Sequence, residues 1–311
     1  MEDRILGLHH ITAIASGAKR NFDFYTRVLG LRLIKKTVNF DDPYTYHLYY
    51  GDKTGSAGTI LTFFPWESIQ TGRRGSRQAT EIGYSVPESS FDFWLKRFEA
   101  NNILYNKVSE KFGESYLTFL DPDGLKFELT VSKNQDNRQP WETDEISAEN
   151  ATKGFHHITI TTNKLQPTAD VLINIFGYQL LQSSVNRYRF VTDAVPNANI
   201  VDLVEIPGEG IGQVAGGSVH HVAFRVKDDQ VLMKFRAKIE AAGLNITEKI
   251  DRNYFYSLYF REPGGVLFEI ASENPGFAID ETVELMGSSL KLPEQYENKR
   301  EEIVGHLPVL D

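Results

Sequence analysis

Three histidine doublets are the residues best suited to do chemistry, and each opens a segment of alternating apolar residues. The doublets are His9–His10, His156–His157 and His220–His221. In the last segment Val222 and Phe224 mark one face of a strand, so the alternation turns His221 to the other face. Farther along the chain Phe268 marks a covered face and sends Glu269 to the opposite side. His221 and Glu269 can therefore share one concave surface.

An imidazole and a carboxylate on one buried surface are the donor types of a divalent metal site. A lone histidine in a strand is more often a hydrogen-bonded structural residue, because buried polar groups are generally paired. An inward-facing carboxylate, however, is costly to bury unless it is paired or bound to a cation. The chain has no cysteine, so a metal would be held by histidine and carboxylate ligands alone. The residue types therefore favour a His/carboxylate centre and exclude thiolate sites and disulfide scaffolds.

Two segments repeat a pattern of strand, acid-Pro-Gly turn and strand. Leu117–Leu129 reads LTFLDPDGLKFEL, and Leu258–Ile270 reads LYFREPGGVLFEI. Together with the doublets, these segments divide the chain into four units that begin near residues 7, 79, 154 and 218. Helices are predicted at 20–29, 91–101, 168–176 and 230–242, after the first strand of each unit. Each unit is therefore predicted to run strand, helix, strand, strand, strand.

The four units are predicted to form two domains. A polar linker around 134–153 separates an N-terminal domain, 1–145, from a C-terminal domain, 150–311. The second domain ends in a tail that begins near residue 274 and lies outside the repeats. In that tail a helix that packs on the body is predicted from the spacing of Leu292, Tyr296, Arg300 and Ile303.

Composition limits the classes of partner. The 311 residues include 33 Lys plus Arg against 42 Asp plus Glu, and 41% are apolar, which is typical of a globular protein. The formal charge of −9 argues against nucleic-acid binding. No apolar run approaches the length of about 18 residues that a membrane helix needs, and Met1–Arg4 lacks the pattern of a signal peptide. We expect a cytoplasmic protein without nucleic-acid or membrane partners.

The repeated segments resemble the vicinal oxygen chelate superfamily, which includes glyoxalases, bleomycin resistance proteins and dioxygenases. Nearly the whole chain takes part, and the sequence is most similar to the hydroquinone and methylhydroquinone ring-cleaving dioxygenases. The resemblance implies an α+β fold in which four βαβββ modules form two curved, partly open mixed-sheet barrels with outer helices. The segments that carry it are GLHHIT (7–12), FYTRVLGLRL (24–33), GFHHITI (154–160), SVHHVAF (218–224), GGVLFEI (264–270) and the tail LPEQYENKREEI (292–303).

The resemblance also implies a set of site residues. The implied metal ligands are His10, His221 and Glu269, and the implied catalytic residues are Tyr259, Arg252, His9 and His220. Regular alternation would turn His9 and His220 away from the metal face, so their role requires a bulge or an indirect contact. Tyr259 could equally be a core aromatic residue, and Arg252 could be a solvated loop charge.

Two rival ligand sets stay open. Units two and three offer Glu81, Glu128, His157 and Glu205, whose parities allow a second cavity. Units three and four would instead give a four-ligand sphere like that of glyoxalase I: His157, Glu205, His221 and Glu269. In the first unit the late strand, 59–64, carries no acid, so pairing units one and four leaves three ligands. We favour this arrangement, because three ligands leave positions for O2 and a chelating substrate.

The implied function is an Fe(II)-dependent, extradiol-type dioxygenase that cleaves an aromatic diol, with a hydroquinone as first choice and Mn(II) as the alternative metal. Tyr259 would hydrogen-bond the substrate and act as an acid, and Arg252 would offset charge on the second ring oxygen. Two other classes stay open: a glyoxalase-like metal-dependent isomerase or thiol transferase, and a non-enzymatic protein that binds an aromatic compound or a quinone. The sequence does not distinguish a para-diol from an ortho-diol or a monomer from a homo-oligomer.

Overall fold

The fold within residues 3–310, the part that the computed structural model describes, consists of sixteen strands and five short α-helices. Met1 and Glu2, which begin the N-terminal segment considered above, and Asp311 lie outside this part. The strands of the first two units are β1 (Leu8–Ala15), β2 (Arg32–Val38), β3 (Tyr46–Gly51), β4 (Ile60–Pro65), β5 (Gln78–Ser85), β6 (Ser109–Lys111), β7 (Glu114–Leu120) and β8 (Lys126–Thr130). Those of the last two units are β9 (Phe155–Thr162), β10 (Gln179–Ser184), β11 (Arg187–Val191), β12 (Ile200–Glu205), β13 (Ser218–Val226), β14 (Ile250–Asp251), β15 (Phe255–Arg261) and β16 (Leu267–Pro275).

The helices lie where the sequence predicts them, with differences at their ends. They are α1 (Ala18–Asp23), α2 (Phe91–Ala100), α3 (Leu165–Asp170), α4 (Asp229–Ala241) and α5 (Arg300–His306). α1 and α3 each continue into one π-helical turn, Phe24–Val28 and Val171–Ile175, which periodicity does not reveal. Short 3-10 turns are formed by Glu88–Ser90, Phe277–Ile279, Val283–Leu285 and Glu294–Lys299.

The strand order pairs the first unit with the fourth and the second with the third. One sheet has the order β14-β15-β16-β13-β1-β4-β3-β2, and the other has the order β10-β11-β12-β9-β5-β8-β7-β6. Each sheet joins two units through an antiparallel pair, β1 with β13 and β5 with β9. The α+β fold with two curved mixed sheets is thus confirmed, whereas the division at 145–150 stays a prediction. We call the β1/β13 sheet the first cup and the β5/β9 sheet the second cup.

Helix α4 shows how local sequence fixes an outer helix. The side chain of Asp228 accepts a hydrogen bond from the backbone N–H of Val231 at 2.9 Å and caps the helix. Leu232 and Ile239 of its apolar stripe are fully buried against the sheet. Gly243 follows with a φ of +79°, the left-handed conformation that ends a helix.

The acid-Pro-Gly turns close the last two strands of a unit. In the second unit Asp121 accepts backbone hydrogen bonds from Leu125 and Asp123 at 2.7 and 2.9 Å. In the fourth unit Glu262 accepts from Val266 and Gly264 at 2.8 and 2.6 Å. The acid of the repeated motif is therefore a turn-capping residue, which explains why it recurs.

The C-terminal tail packs on the first cup, as predicted. Ile303 of α5 is fully buried, and the Tyr296 hydroxyl donates to the backbone oxygen of Phe40 at 2.6 Å. The tail also continues the sheet edge, because the Lys291 N–H donates to the Lys36 oxygen of β2 at 2.9 Å. No helix within residues 3–310 combines the length and apolar content that crossing a membrane requires.

Candidate metal centre

Three adjacent strands at the middle of the first cup bring His10, His221 and Glu269 together. They lie on β1, β13 and β16, and all three are buried, with Glu269 fully so. The His10 and His221 Nε2 atoms are 3.3 Å apart, and the Glu269 Oε2 atom is 3.2 Å from the first and 2.8 Å from the second. Within residues 3–310 this is the one group of histidine and acidic side chains placed to hold a metal ion.

The donor geometry fits a shared cation. Glu269 Oε2 is buried and, among the described residues, has no partner in hydrogen-bonding orientation, although two imidazole nitrogens lie beside it. An orphaned buried carboxylate oxygen is costly unless a cation satisfies it. Ligand bonds of about 2.1 Å that meet at right angles place two donor atoms roughly 3.0 Å apart, which is close to the separations observed. The residues present therefore fit three ligands on one face of a divalent metal.

Electrostatics favour the protonation states that a metal requires. Burial lowers the pKa of His221 and so favours the neutral imidazole. Burial alone would raise the pKa of Glu269, but His10 and His221 outweigh it and hold that pKa well below its usual value. Its other oxygen, Oε1, accepts a hydrogen bond from the Ser257 hydroxyl, which fixes the carboxylate. A neutral imidazole and an ionised carboxylate are the forms that bind a metal.

Two β-bulges explain how His9 and His220 can lie near the metal face although regular strand alternation would turn them away from it. Pairing runs from Leu8↔Phe224 to His10↔Ala223, which leaves His9 as the extra residue on β1. It then steps from Thr12↔His221 to Ala13↔Val219, which leaves His220 as the extra residue on β13. A bulge allows successive side chains to lie near the same site. The sequence indicated that a bulge or an indirect contact was needed, but it could not locate the bulges.

Each bulged histidine hydrogen-bonds the histidine that follows it. The Nδ1 atoms of His9 and His10 are 2.9 Å apart, and those of His220 and His221 are 2.8 Å apart. This contact occupies Nδ1 of His10 and of His221 and leaves Nε2 of each ring to face the centre. A second hydrogen bond of this kind orients a metal-binding imidazole and selects its tautomer. His9 and His220 are thus placed to support the ligands.

Tyr259 and Arg252 lie on the wall of a cavity of about 470 Å³ that also exposes His10 and His221. Tyr259 pairs in register with Glu269, and its ring centroid is 5.5 Å from that of His221. The Arg252 guanidinium lies 5.3 Å from the Tyr259 ring and 5.4 Å from the Phe40 ring. Burial raises the pKa of Tyr259, so its hydroxyl stays protonated. Both side chains are half-buried at the cavity wall, and their catalytic roles stay a prediction.

The cavity is lined mainly by aromatic side chains. A cavity of about 150 Å³ holds benzene, so this volume accommodates a substituted ring. Two of the lining residues are joined to each other, because the Asp42 carboxylate accepts from the Trp66 indole N–H at 3.0 Å. The lining residues are His10, Thr12, Asn39, Phe40, Asp41, Asp42, His47, Tyr49, Phe64, Trp66, His220, His221, Thr247, Arg252, Phe255, Tyr259 and Leu267.

His47 and Tyr49 are cavity residues that sequence reasoning missed. They lie on β3, two residues apart and therefore on one face, and both are buried. The sequence signals them only through a strand-like run at 46–50, and such a run does not reveal that this face lines the cavity.

In the second cup, lysine and arginine side chains pair with the acidic residues that lie where the first cup has its candidate metal ligands. Lys111 from the edge strand β6 ion-pairs with Glu128, and its Nζ atom lies 3.3 Å from His157 Nε2. Glu81 pairs with Lys126 and with Arg187, the latter at 2.9 Å. The ammonium of Lys111 thus neutralises the Glu128–His157 pair without a metal.

One member of the expected second set was wrong. Glu205 lies outside the cluster, because its carboxylate accepts the Leu165 backbone N–H at 2.8 Å at the start of α3. Asp202 of the same strand interacts electrostatically with His157 instead, and it pairs with Arg189 at 2.8 Å. The four-ligand alternative that combined units three and four is also wrong, because His157 and His221 belong to different sheets.

Comparisons with known proteins agree with this architecture. A family model of the glyoxalase/bleomycin resistance protein/dioxygenase superfamily matches residues 7–129 and 154–270. MhqO of Bacillus subtilis (strain 168), assigned as a ring-cleaving dioxygenase, is 45% identical over 99% of this chain and 98% of its own. The chlorohydroquinone/hydroquinone 1,2-dioxygenase of Sphingobium indicum is 33% identical over 98% of this chain and 96% of its own.

Solved structures extend the agreement to the fold. A crystal structure of an assigned dioxygenase from Bacillus subtilis superposes with a TM-score of 0.95 at 43% identity and covers 99% of this chain and 98% of that chain. Glyoxalase I from Zea mays, at 14% identity and a TM-score of 0.64, covers 87% of this chain and 92% of its own and shares the fold alone. The chain therefore belongs to the glyoxalase/bleomycin resistance protein/dioxygenase superfamily.

Proposed function

We propose that this protein is a ring-cleaving dioxygenase that uses Fe(II), held by His10, His221 and Glu269, to open an aromatic diol with O2. The observation that carries the proposal is the three-donor face beneath an aromatic cavity. Three protein ligands on one face leave coordination positions for a substrate oxygen and for O2. The relatives named as ring-cleaving and hydroquinone dioxygenases, which align over nearly the full chain, support the same reaction class.

A bound Fe(II) would supply the redox chemistry that couples the diol to O2 and would favour loss of a proton from a coordinated hydroxyl. Mn(II) fits the same donors, and affinity alone does not select iron. His9 and His220 keep the Nε2 atoms of their neighbours aimed at the centre. Such hydrogen bonds would fix the orientation and the tautomer of the imidazoles that hold the metal.

Tyr259 and Arg252 act on the substrate oxygen nearest their wall. The protonated Tyr259 hydroxyl is a hydrogen-bond donor, and Arg252 places a permanent positive charge beside it. Together they stabilise negative charge that develops on a phenolic oxygen, and Tyr259 can act as an acid by donating its hydroxyl proton to that oxygen. The aromatic lining, including Phe255 at 5.0 Å from the His10 ring, excludes water from the reacting atoms.

The test is O2 consumption by protein reconstituted anaerobically with Fe(II). Hydroquinone, 2-methylhydroquinone and catechol would be run in parallel, with Mn(II)-loaded protein as a second series. We expect uptake matched to the absorbance of a ring-opened product and lost in His221→Ala. Uptake with none of the diols, from protein shown to hold iron, would contradict the proposal and favour the isomerase or the binding protein.

A further inference from the structure

The cavity has a second polar wall that the proposed chemistry does not use. His47 and Tyr49 project from β3 of the first unit, whereas Tyr259 projects from β15 of the fourth. The two tyrosines are related by the repeat of the units, because Tyr49 pairs in register with Thr62 of β4 as Tyr259 pairs with Glu269 of β16. They therefore flank the ligand face from opposite sides of the cup.

A chain of hydrogen bonds fixes the Tyr49 hydroxyl. The Thr12 and Thr62 hydroxyl oxygens are 2.9 Å apart, Thr62 Oγ1 is 2.9 Å from His47 Nε2, and His47 Nδ1 is 2.9 Å from the Tyr49 hydroxyl. All four side chains are buried. Burial lowers the pKa of His47 well below its usual value, so the ring is neutral and one nitrogen donates while the other accepts.

In this arrangement the Tyr49 hydroxyl is the group that can still form a hydrogen bond with a ligand. Both ring nitrogens of His47 are engaged, so His47 has none to offer a ligand. Among the described residues, His47 is the one hydrogen-bond partner of the Tyr49 hydroxyl. If the hydroxyl donates to His47, its oxygen can accept from a ligand, and if it accepts from His47, its proton is free to be donated. Tyr49 can thus pair with a phenol or with a phenolate.

We propose that Tyr49 binds the ring oxygen that lies away from the metal centre, that His47 is a positioning residue for its hydroxyl, and that the pair selects para-diols over ortho-diols. The inference rests on the proposed function and names its substrate class. In a para-diol the two oxygens lie at opposite ends of the ring, so one meets the Tyr259 wall and the other meets Tyr49. An ortho-diol presents both oxygens at one end, so the Tyr49 hydroxyl keeps its His47 partner but gains no hydrogen bond from the ligand.

The experiment compares ligands that differ by the second hydroxyl. Affinities for hydroquinone, phenol and catechol are measured anaerobically on Fe(II)-loaded wild type, Tyr49→Phe and His47→Gln. The matched control is Tyr50→Phe, which removes a buried hydroxyl of the same strand that donates to Asn21 on the other face. We expect Tyr49→Phe to weaken hydroquinone by about fivefold to tenfold and to leave phenol and catechol unchanged, which is the effect of one neutral hydrogen bond.

His47→Gln is expected to weaken hydroquinone selectively as well, because the Tyr49 hydroxyl loses its fixed orientation, and Tyr50→Phe is expected to change no affinity. In air, the ratio of kcat/KM for hydroquinone to that for catechol should fall by a similar factor in Tyr49→Phe. Equal losses for hydroquinone and phenol, or no loss, in a Tyr49→Phe protein whose wild type binds hydroquinone would overturn this inference alone. Wild type that holds iron but binds no diol would overturn the proposed function and this inference with it.

Discussion

Thr62 holds in the first unit the position that Glu269 holds in the fourth. Thr62 pairs with Thr12, two residues after His10, and Glu269 pairs with Ala223, two residues after His221. The first cup thus carries two histidines and one carboxylate where a symmetric cup would carry two of each. In the proposed metal site, this asymmetry would leave coordination positions for substrate and O2.

Thr62→Glu should convert the three-donor face to a four-donor face. We expect slower loss of Fe(II) to a chelator and at least tenfold slower O2 consumption, because the new carboxylate competes with substrate and O2. Metal release and turnover are measured on the same preparation. Thr62→Gln is the matched control, since it has nearly the same shape without the charge and should not slow metal loss. Full activity in a Thr62→Glu protein that retains metal more tightly would contradict the three-ligand argument.

Glu269→Gln should abolish tight metal binding, because a neutral amide replaces the carboxylate in the ligand set. The stoichiometry of bound Fe(II) after gel filtration is expected to fall from near one to near zero. The matched control is Glu128→Gln, because Glu128 pairs with Gly83 in the second cup as Glu269 pairs with Ala223 in the first. Equal iron in both variants would show that Glu269 is not a ligand.

His9→Ala should weaken metal binding without removing a ligand. His10 would lose the partner of its Nδ1 atom, and loss of such a partner typically costs 10-fold to 100-fold in metal affinity. The measurement is a competition titration with a chelator of known affinity. His156→Ala provides the control, because His156 makes the same 2.9 Å contact to His157 in the second cup. Unchanged affinity in His9→Ala would limit His9 to a packing role.

Strand parity was sufficient to predict that His221 and Glu269 share a face, because that argument needs only a period of two within each strand. It could not locate the extra residues at His9 and His220, since a bulge depends on how two strands far apart in sequence are paired. Tyr49 was missed for a similar reason. Its place opposite Tyr259 follows from the order of eight strands, which no single segment encodes.

The second cup shows a further limit of predicting metal sites from sequence patterns. Glu81, Glu128 and His157 had the parity of a ligand set, and the structure does gather them on neighbouring strands. Lys111, which neutralises Glu128, comes from a three-residue edge strand with no periodic signal. A ligand-like set of acids and histidines is therefore not evidence for a metal until the nearby cations are known.

Lys111→Met should allow Glu81, Glu128 and His157 of the second cup to bind a metal. Burial alone would raise the pKa of Glu128, but the Lys111 ammonium outweighs it and keeps the carboxylate ionised. Removing one partner of a buried pair typically costs roughly 3–5 kcal/mol of unfolding free energy. We expect a lower Tm that Zn(II) or Mn(II) partly restores, with a second bound metal per chain. The control is Lys107→Met at an exposed position, which should alter neither Tm nor stoichiometry. An unchanged Tm in Lys111→Met would show that the ammonium does not stabilise the cup.

Glu114→Gln should remove a pH-dependent part of the stability. Burial alone would raise the pKa of Glu114, but His156 at 3.1 Å and the Arg189 guanidinium outweigh it and lower that pKa to about 2. A carboxyl whose pKa is lower in the folded state stabilises the protein above its unfolded pKa, and this contribution is lost as pH falls through the folded value. At pH 7 the variant should lose roughly 2–3 kcal/mol, less than a fully broken buried pair costs, because Asp202 still pairs with Arg189.

The difference between Glu114→Gln and wild type should shrink as pH falls from the usual glutamate pKa of 4.5 towards 2, because over that range Glu114 is protonated in the unfolded chain and still ionised in the folded protein. Urea unfolding at pH 7, 5, 4 and 3 measures it. Glu110→Gln, at an exposed position on β6, is the matched control and should match wild type at each pH. A destabilisation that stays constant down to pH 3 would mean that the Glu114 side chain stabilises the sheet through its shape and hydrogen bonds, since only a charge effect disappears with protonation.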